Sequence, residues 1–425
     1  MSNLCVFEDA AVANFCPLTY LRPVYEMRVG AMTLLEAIEY EFPKNFLYLQ
    51  CRPYLKNAER RLHPDIPVNH LNTGAPCLFI NGRMILNQSA TELAQQLQAD
   101  TVILSKGTLA MAYLSGDNLN LCKNLLERPL ELPGLIQGLT SGTLVKEADL
   151  KLLQYPWDCL KINRELIKTQ TQRSMRLGIV EGFVHPQAIL MQEDQIFIGK
   201  DSRIGAHVVL DASEGPIWID CHCEIEPLAY IQGPVSLGQH CHVKAHAQIR
   251  GGCSVGPFCK VGGEISNVIM SGYSNKSHDG FVGDSIFGAW VNLGAGTTTS
   301  NLKNNYHMIR SYLNGEEVET DMLFFGSTVG DYSKTGIGTL LQAGTQLGIF
   351  CNVFGGGLCP KFLPSFSWGS SNVEYLFEHA LDTAKRMAER RGHPIAEADR
   401  EAMYAVYEIF HTQRHKLAMA SESNI

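Results

Sequence analysis

From about residue 196 an aliphatic side chain recurs at strict intervals. Ile198, Ile204 and Leu210 are six apart. After a three-residue insertion, Ile219, Ile225, Ile231, Leu237, Val243, Ile249, Val255 and Val261 keep the same spacing. A period of six fits neither the 3.6 of an α-helix nor the alternation of a strand. It fits a triangular coil of three short strands and about 18 residues, whose aliphatic side chains point inward and stack from coil to coil. The register also demands a small inward residue two positions before each aliphatic. Those positions hold Cys223, Ala229, Val235, Cys241, Ala247, Cys253 and Cys259. Cys223, Cys241 and Cys259 should form a buried ladder, so Cys221-His222-Cys223 reads as packing and not as a metal site.

The pattern breaks between Val261 and Val282 and resumes at Val282, Phe287 and Leu293. It breaks again through residues 300–325 and returns near Ile337 and Ala343. Interruptions in a solenoid are loops thrown out from its surface, and such loops commonly carry function.

Residues 1–170 lack this period. Cys77–Ile80 and Val102–Leu104 read as strands, and Met32–Tyr40 and Glu92–Gln98 as helices, which together suggest an α/β domain. A linker of roughly 20 residues leads to the coil of residues 190–370. Residues 371–425 hold two amphipathic stretches separated by Gly-His-Pro, a helical hairpin packed on the end or side of the solenoid.

Composition narrows the function classes. The chain has 425 residues, 45% of them hydrophobic and 18% charged, with a formal net charge of −8. That is a folded multidomain protein. Without a long basic run, nucleic acid is not expected as the main partner. No apolar stretch approaches the roughly 18 residues that span a bilayer, and the N-terminus has no basic region of a secretory signal. The thirteen cysteines show no CxxC spacing, so reduced thiols in the cytoplasm are expected.

Two segments carry a resemblance. Asn275-Lys-Ser-His-Asp-Gly-Phe-Val-Gly-Asp284 and Val291-Asn-Leu-Gly-Ala-Gly-Thr-Thr-Thr-Ser-Asn301 resemble the acetyltransferase half of the bacterial bifunctional N-acetylglucosamine-1-phosphate uridyltransferase / glucosamine-1-phosphate N-acetyltransferase family. Pro17–Gly30, Tyr155-Pro-Trp-Asp158 and Lys260-Val-Gly-Gly-Glu264 resemble its divergent, alternative branch. The resemblance implies a Rossmann-like α/β sugar-nucleotidyltransferase domain, a left-handed parallel β-helix and a parallel homotrimer with acyl sites between neighbouring prisms. Acetyl-CoA, a sugar phosphate and a nucleoside triphosphate such as UTP would be the substrates, with Mg²⁺ in the N-domain.

Transfer of an acetyl group from a thioester to an amine needs a base, donors for the oxyanion, and two substrates held together. By resemblance His278 is the base, and an imidazole titrates in the right range to take an ammonium proton. Asn292 and Asn301 stand as sugar- and acetyl-contacting amides, Arg250 as a sugar-phosphate grip, and Lys260 as a possible assistant. Phe281 replaces a family tyrosine and keeps the aromatic wall without its hydroxyl.

The N-domain departs further from the family. Pro17-Leu18-Thr19 is present, but the preceding glycine-rich phosphate loop is replaced by Asp9-Ala-Ala-Val-Ala-Asn-Phe-Cys16. Arg22 and Arg28 are candidates to replace the lost phosphate contacts. Phe79-Ile-Asn-Gly-Arg83 resembles the strand end that carries a magnesium aspartate, but Arg83 occupies that place and cannot ligate Mg²⁺. Asn163 resembles the other metal ligand, and Asp9 or Asp158 could supply a carboxylate. Three readings stay open: a bifunctional enzyme forming a UDP-N-acetylglucosamine-like product, an acyltransferase with a degenerate nucleotide- or sugar-binding N-domain, and a non-enzymatic β-helix assembly protein.

Overall fold

The computed structural model describes residues 3–71, 74–126 and 132–422. The N-terminal domain is built on a six-stranded sheet: β1 (Asn3–Phe7), β2 (Phe46–Gln50), β3 (Cys77–Asn81), β4 (Thr101–Ser105), β5 (Thr108–Leu114) and β6 (Leu144–Glu147). Their order is β2-β1-β3-β5-β4-β6, with β2, β1 and β3 parallel and β5 antiparallel to its neighbours. Helices α1 (Leu34–Glu41), α2 (Lys56–Leu62), α3 (Gln88–Gln96), α4 (Gly116–Leu125) and α5 (Leu132–Gly138) complete it. Helix α1 starts where its sequence supplies a capping box: the Thr33 hydroxyl accepts from Glu36 N, and the Glu36 carboxylate accepts from Thr33 N.

Helix α6 (Pro156–Arg173) is a strut between the domains. The Asn163 amide nitrogen donates to Gly252 O at 2.8 Å, while its oxygen accepts from Gly30 N at 2.7 Å and Ser254 Oγ at 3.0 Å. Arg164 donates to Gly251 O at 2.9 Å. A Cβ at Gly252 would meet Arg164 at 3.0 Å and Asn267 at 2.7 Å, and Gly252 has φ +87°. Glycine is therefore what lets the helix approach.

The remainder is a left-handed parallel β-helix with three faces. Face 1 stacks nine strands, from Ile196–Ile198 to Phe362–Leu363. Face 2 stacks eleven, from Phe183–Val184 to Ser370–Glu374. Face 3 has six, ending at Phe281–Gly283, followed by a three-stranded sheet through Thr298–Thr299, Thr339–Leu341 and Gly357–Leu358. The aliphatic positions of the six-residue register from Ile198 to Val261 are at most 1% exposed, and so are the seven small positions before them.

The cysteine ladder forms as expected. Cys223 and Cys241 each donate a thiol hydrogen bond at 3.1 Å to the carbonyls of Gly238 and Gly256. Burial pushes the Cys259 thiol up to about 12 and the Cys241 thiol well above its ordinary value. A thiol that is both buried and protonated is a poor nucleophile. Alkylation of the native protein is therefore expected to miss all three, as peptide mapping would report, and rapid labelling of any one would contradict the register.

Two expectations along the coil need correction. The stack does not break between Val261 and Val282: Val261 pairs with Lys276, Val255 with Met270, and Ile265 with Val282. The coil there is shorter, which shifts the period without ending it. Beyond the excursion of residues 300–325, the inward positions are Thr335, Leu341 and Leu347, at most 5% exposed, whereas Ile337 is 79% exposed on a corner. An inward threonine hid the register by two residues. The excursion itself carries a hairpin, Arg310–Leu313 with Glu316–Glu319, and its Phe325 packs on Trp157 of α6.

A second ladder runs along the corner from face 1 to face 2. The rings of His222, His240, Phe258, Tyr273, Trp290, Tyr332, Phe350 and Phe366 stack in succession with centroids 4.4–6.0 Å apart and planes within 12°. All eight residues have φ between 53° and 61°, a left-handed conformation that costs side chains other than glycine, and ring stacking offsets it. The C-terminal helices α7 (Phe377–Glu389) and α8 (Glu397–Glu422) cover this corner. Phe377 and Tyr407 share a core with Phe350 and Phe366, and the Arg391 guanidinium donates to Phe258 O at 3.1 Å. Helix α8 also reaches α2 through Asn57–Glu401 and Arg61–Asp399, so the hairpin joins the two domains.

Candidate functional site

The N-terminal domain covers face 1, where Ile269 and Ile286 enter a core with Phe15, Leu18 and Trp157. The hairpin covers the corner from face 1 to face 2. The corner from face 2 to face 3 stays exposed, and residues 277–280 lie on it. His278 is exposed there, and its imidazole makes no hydrogen bond or ion pair among the described residues.

The sequence-expected residues fall on both sides of that corner. On face 2, Lys260 pairs with Asn275 and Asn275 with Asn292 along the stack. The Asn275 amide donates to Asn292 Oδ1 at 3.1 Å and accepts from Arg391 at 2.8 Å. Lys334 stands beside Asn292 in the next coil. Burial lowers the Lys334 ammonium to about 8, and it donates to Tyr332 O at 2.9 Å. On face 3, Phe281 lies over Gly283, where a Cβ would meet its ring at 2.6 Å and the Asn301 amide at 2.7 Å. Asn301 donates to Asp284 at 2.7 Å, and Asn267 holds the other oxygen of that carboxylate at 2.7 Å. Arg250 lies lower on the same face, 5.2 Å over the Tyr230 ring and 3.6 Å from Glu264. Phe281 and Asn301 are thus brought together, and Asn292 is separated from them by the corner.

Asn275, Lys334, Arg391 and Asp284 were not singled out by sequence. Asn275 and Asp284 bound the motif, but Lys334 and Arg391 join the site only through coil stacking and the hairpin, which no local pattern reveals.

In the N-terminal domain the crevice outside the carboxyl ends of β1 and β3, the switch point where ligands bind in open α/β sheets, is filled. Arg83 is 0% exposed and Asp9 8%. Arg83 forms a two-pronged ion pair with Asp9, with Nε donating at 2.9 Å to one carboxylate oxygen and Nη2 to the other, and Nη1 donates to Leu153 O. Asn81 donates to Asp9 at 2.8 Å. A guanidinium therefore occupies the position a cation would need beside Asp9, and the residues present do not fit Mg²⁺.

The other residues considered for phosphate or metal have structural partners. Asn163 is buried, with its oxygen taken by Gly30 and Ser254 as described. Asp158 caps α6 by accepting from Gln154 N and Tyr155 N at 3.1 and 3.0 Å. Arg22 reaches across the domain boundary to Asp331 at 2.7 Å. Arg28 donates to Ala31 O and lies 3.9 Å from Glu36. Arg52, unremarked in the sequence, pairs with buried Glu8 and donates to the carbonyls of Thr19 and Arg22 at 2.7 and 2.8 Å, which fixes the Pro17-Leu18-Thr19 turn. Among the described residues, one cluster, Glu26, Glu59 and His63, has metal-ligand spacing. It lies by α2, and His63 already bonds Glu26 at 2.8 Å. No described helix is long and apolar enough to cross a membrane.

Residues 4–175 match a family model described as sugar nucleotidyl transferase. Over 102 residues the chain is 28% identical to a bifunctional sugar-1-phosphate nucleotidylyltransferase/acetyltransferase of Sulfurisphaera tokodaii, covering 23% of this chain and 25% of that protein. Over 85 residues it is 34% identical to the bifunctional protein GlmU of Methanococcus vannielii, covering 20% of each. The chain thus aligns with a quarter or less of these relatives. Two solved structures, the UDP-N-acetylglucosamine O-acyltransferase of Moraxella catarrhalis and the Arabidopsis UDP-N-acetylglucosamine acyltransferase, are each 13% identical over 53% of this chain and 95% of theirs, with TM-scores of 0.20 and 0.16.

Proposed function

Because residues 4–175 belong to the sugar nucleotidyl transferase family, we propose that the chain acts on a sugar phosphate and that its β-helix transfers an acetyl group from acetyl-CoA to the amine of a hexosamine 1-phosphate. The observation that carries this reading is His278, unpaired on the solenoid corner that neither the N-terminal domain nor the hairpin covers.

The chemistry follows from position. The imidazole takes a proton from the acceptor ammonium. The freed amine attacks the thioester carbonyl, its nitrogen sheds a second proton to solvent as the tetrahedral intermediate collapses, the C–S bond breaks, and the coenzyme A thiolate leaves with the proton that His278 carried. Amides such as Asn292 and Asn301 can donate to the sugar and to the developing oxyanion. In this reading Arg250 and Lys260 meet phosphate, and Phe281 walls the sugar.

Asn292 and the pair Phe281–Asn301 lie on different faces, so one prism presents two half-sites. A neighbouring prism turned to meet face 2 with face 3 would complete them, which favours the homotrimer. The same corner and the face 3 strands beside it carry exposed apolar side chains in the last coils, Ile337 at 79% and Leu358 at 65%, as an intersubunit surface would.

For the N-terminal domain, the family and the relatives' names support nucleotidyl transfer to a sugar phosphate; in this reading the acceptor is the same sugar phosphate and UTP is the nucleotide. The buried Arg83–Asp9 pair favours a second reading, in which this domain has given up metal-dependent chemistry and holds the solenoid in place. One experiment separates them: glucosamine 1-phosphate, acetyl-CoA and UTP with Mg²⁺ are supplied singly and together, and the products are weighed. A product heavier by one acetyl group supports the acyltransferase. A nucleotide sugar that vanishes with chelator supports the bifunctional reading, and absence of any acetylated sugar contradicts the proposal.

A further inference from the structure

We propose that Lys276 is a positioning residue: its buried ammonium holds the loop that presents His278 and fixes the direction of the imidazole. The inference rests on His278 as the base.

The register makes the residue conspicuous. Lys276 occupies the inward position of face 2, directly above Val261 and below Leu293. The inward positions beneath it on this face are Ile204, Ile225, Val243 and Val261. A lysine in that stack is 1% exposed. An ammonium withdrawn from water needs replacement partners, and it has three donors to satisfy. Nζ donates to Gly262 O at 3.3 Å, to Asp279 O at 3.2 Å and to His278 O. Two of the three acceptors belong to the loop itself. Burial lowers the Lys276 ammonium to about 8, with Asp279 opposing the shift.

The corner one coil below makes room for it. Six residues separate successive inward positions at Val243–Ile249, Lys276–Val282 and Leu293–Thr299, but only four at Val261–Ile265. The shortened corner is Gly262-Gly263. A Cβ on Gly263 would lie 2.9 Å from His278 O, 2.7 Å from Gly280 O and 3.0 Å from Nζ. Two missing residues and two glycines thus open the space that the ammonium fills. The loop is pinned from inside the prism while the imidazole stays outside, where a substrate can reach it.

A packing role alone would be met as well by methionine, an unbranched apolar side chain of similar length that adapts to fill the same space. Lysine adds hydrogen bonds to the loop. The test is Lys276→Met, alone and combined with His278→Ala, in the full-length protein. For K276M we expect a protein that stays folded and assembled, unchanged KM for acetyl-CoA and the amino sugar, and a kcat for acetyl transfer lower by about 100-fold, the scale of a small misplacement of a reacting group. In the H278A background the second substitution should add no further loss. If K276M keeps wild-type kcat while H278A loses it, the base stands and the positioning role is overturned. An equal loss in both backgrounds also overturns it, because Lys276 would then act independently of His278. Wild-type transfer by H278A would instead remove the base assignment on which this rests. Lys276→Gln keeps two N–H donors, and loss of the fold in both K276M and K276Q would assign Lys276 to the core alone.

Discussion

His278→Ala is expected to lower acetyl transfer by about 10²–10⁴, the usual range for losing a general base, while the protein stays folded and assembled. The side chain is exposed and has no hydrogen bond or ion pair among the described residues, so its removal leaves no buried group unsatisfied. Steady-state rates with acetyl-CoA and glucosamine 1-phosphate, alongside sedimentation and circular dichroism, provide the check. Wild-type turnover would mean that another group takes the ammonium proton. Unfolding would mean that the loop depends on the imidazole for its structure.

Asp9→Ala should act on stability and not on acetyl transfer. Arg83 is 0% exposed and Asp9 is its carboxylate partner. Removing one member of a buried pair strands the other, at a cost of about 3–5 kcal/mol. Denaturant unfolding of the full-length protein should therefore move to lower midpoints. Asp9→Ala combined with Arg83→Met should recover much of the loss, because no charge is then left unpaired. A crevice that works with Mg²⁺ would behave differently: the metal would raise the stability of the wild-type protein, and Asp9→Ala would abolish pyrophosphate release with little change in unfolding.

The solenoid was legible because its constraint is local and repeated. Each inward position sees the same triangular interior, so Ile225, Val243 and Val261 show the geometry in their spacing alone. The register became illegible where an inward position is polar, at Lys276 and Thr335, and where a corner loses residues, at Gly262-Gly263. The aromatic ladder was readable in principle at His222, His240 and Phe258, which are 18 apart. Shortened coils then spoil the interval at Tyr273 and Trp290. His278 and its neighbours were found through a motif, and their division between faces 2 and 3 is a property of the coil that a linear motif does not display. In the N-terminal domain the departures at Arg83 and in the Asp9–Cys16 loop were visible, but their consequence was not. That Arg83 meets Asp9, and that Asn163 holds Gly30, Gly252 and Ser254 together, depends on contacts between residues 74 to 133 positions apart.

The most direct measurement is release of coenzyme A from acetyl-CoA by the full-length protein, followed with and without glucosamine 1-phosphate and with a chelator in every reaction. The chelator removes metal-dependent nucleotidyl chemistry, so only the β-helix is being read. Release that requires the amino sugar, yields the N-acetylated sugar phosphate and disappears in His278→Ala is the expected result. No acceptor-dependent release with any hexosamine 1-phosphate, from protein shown to be folded and assembled, would contradict the assignment of acetyl transfer to the corner that carries His278.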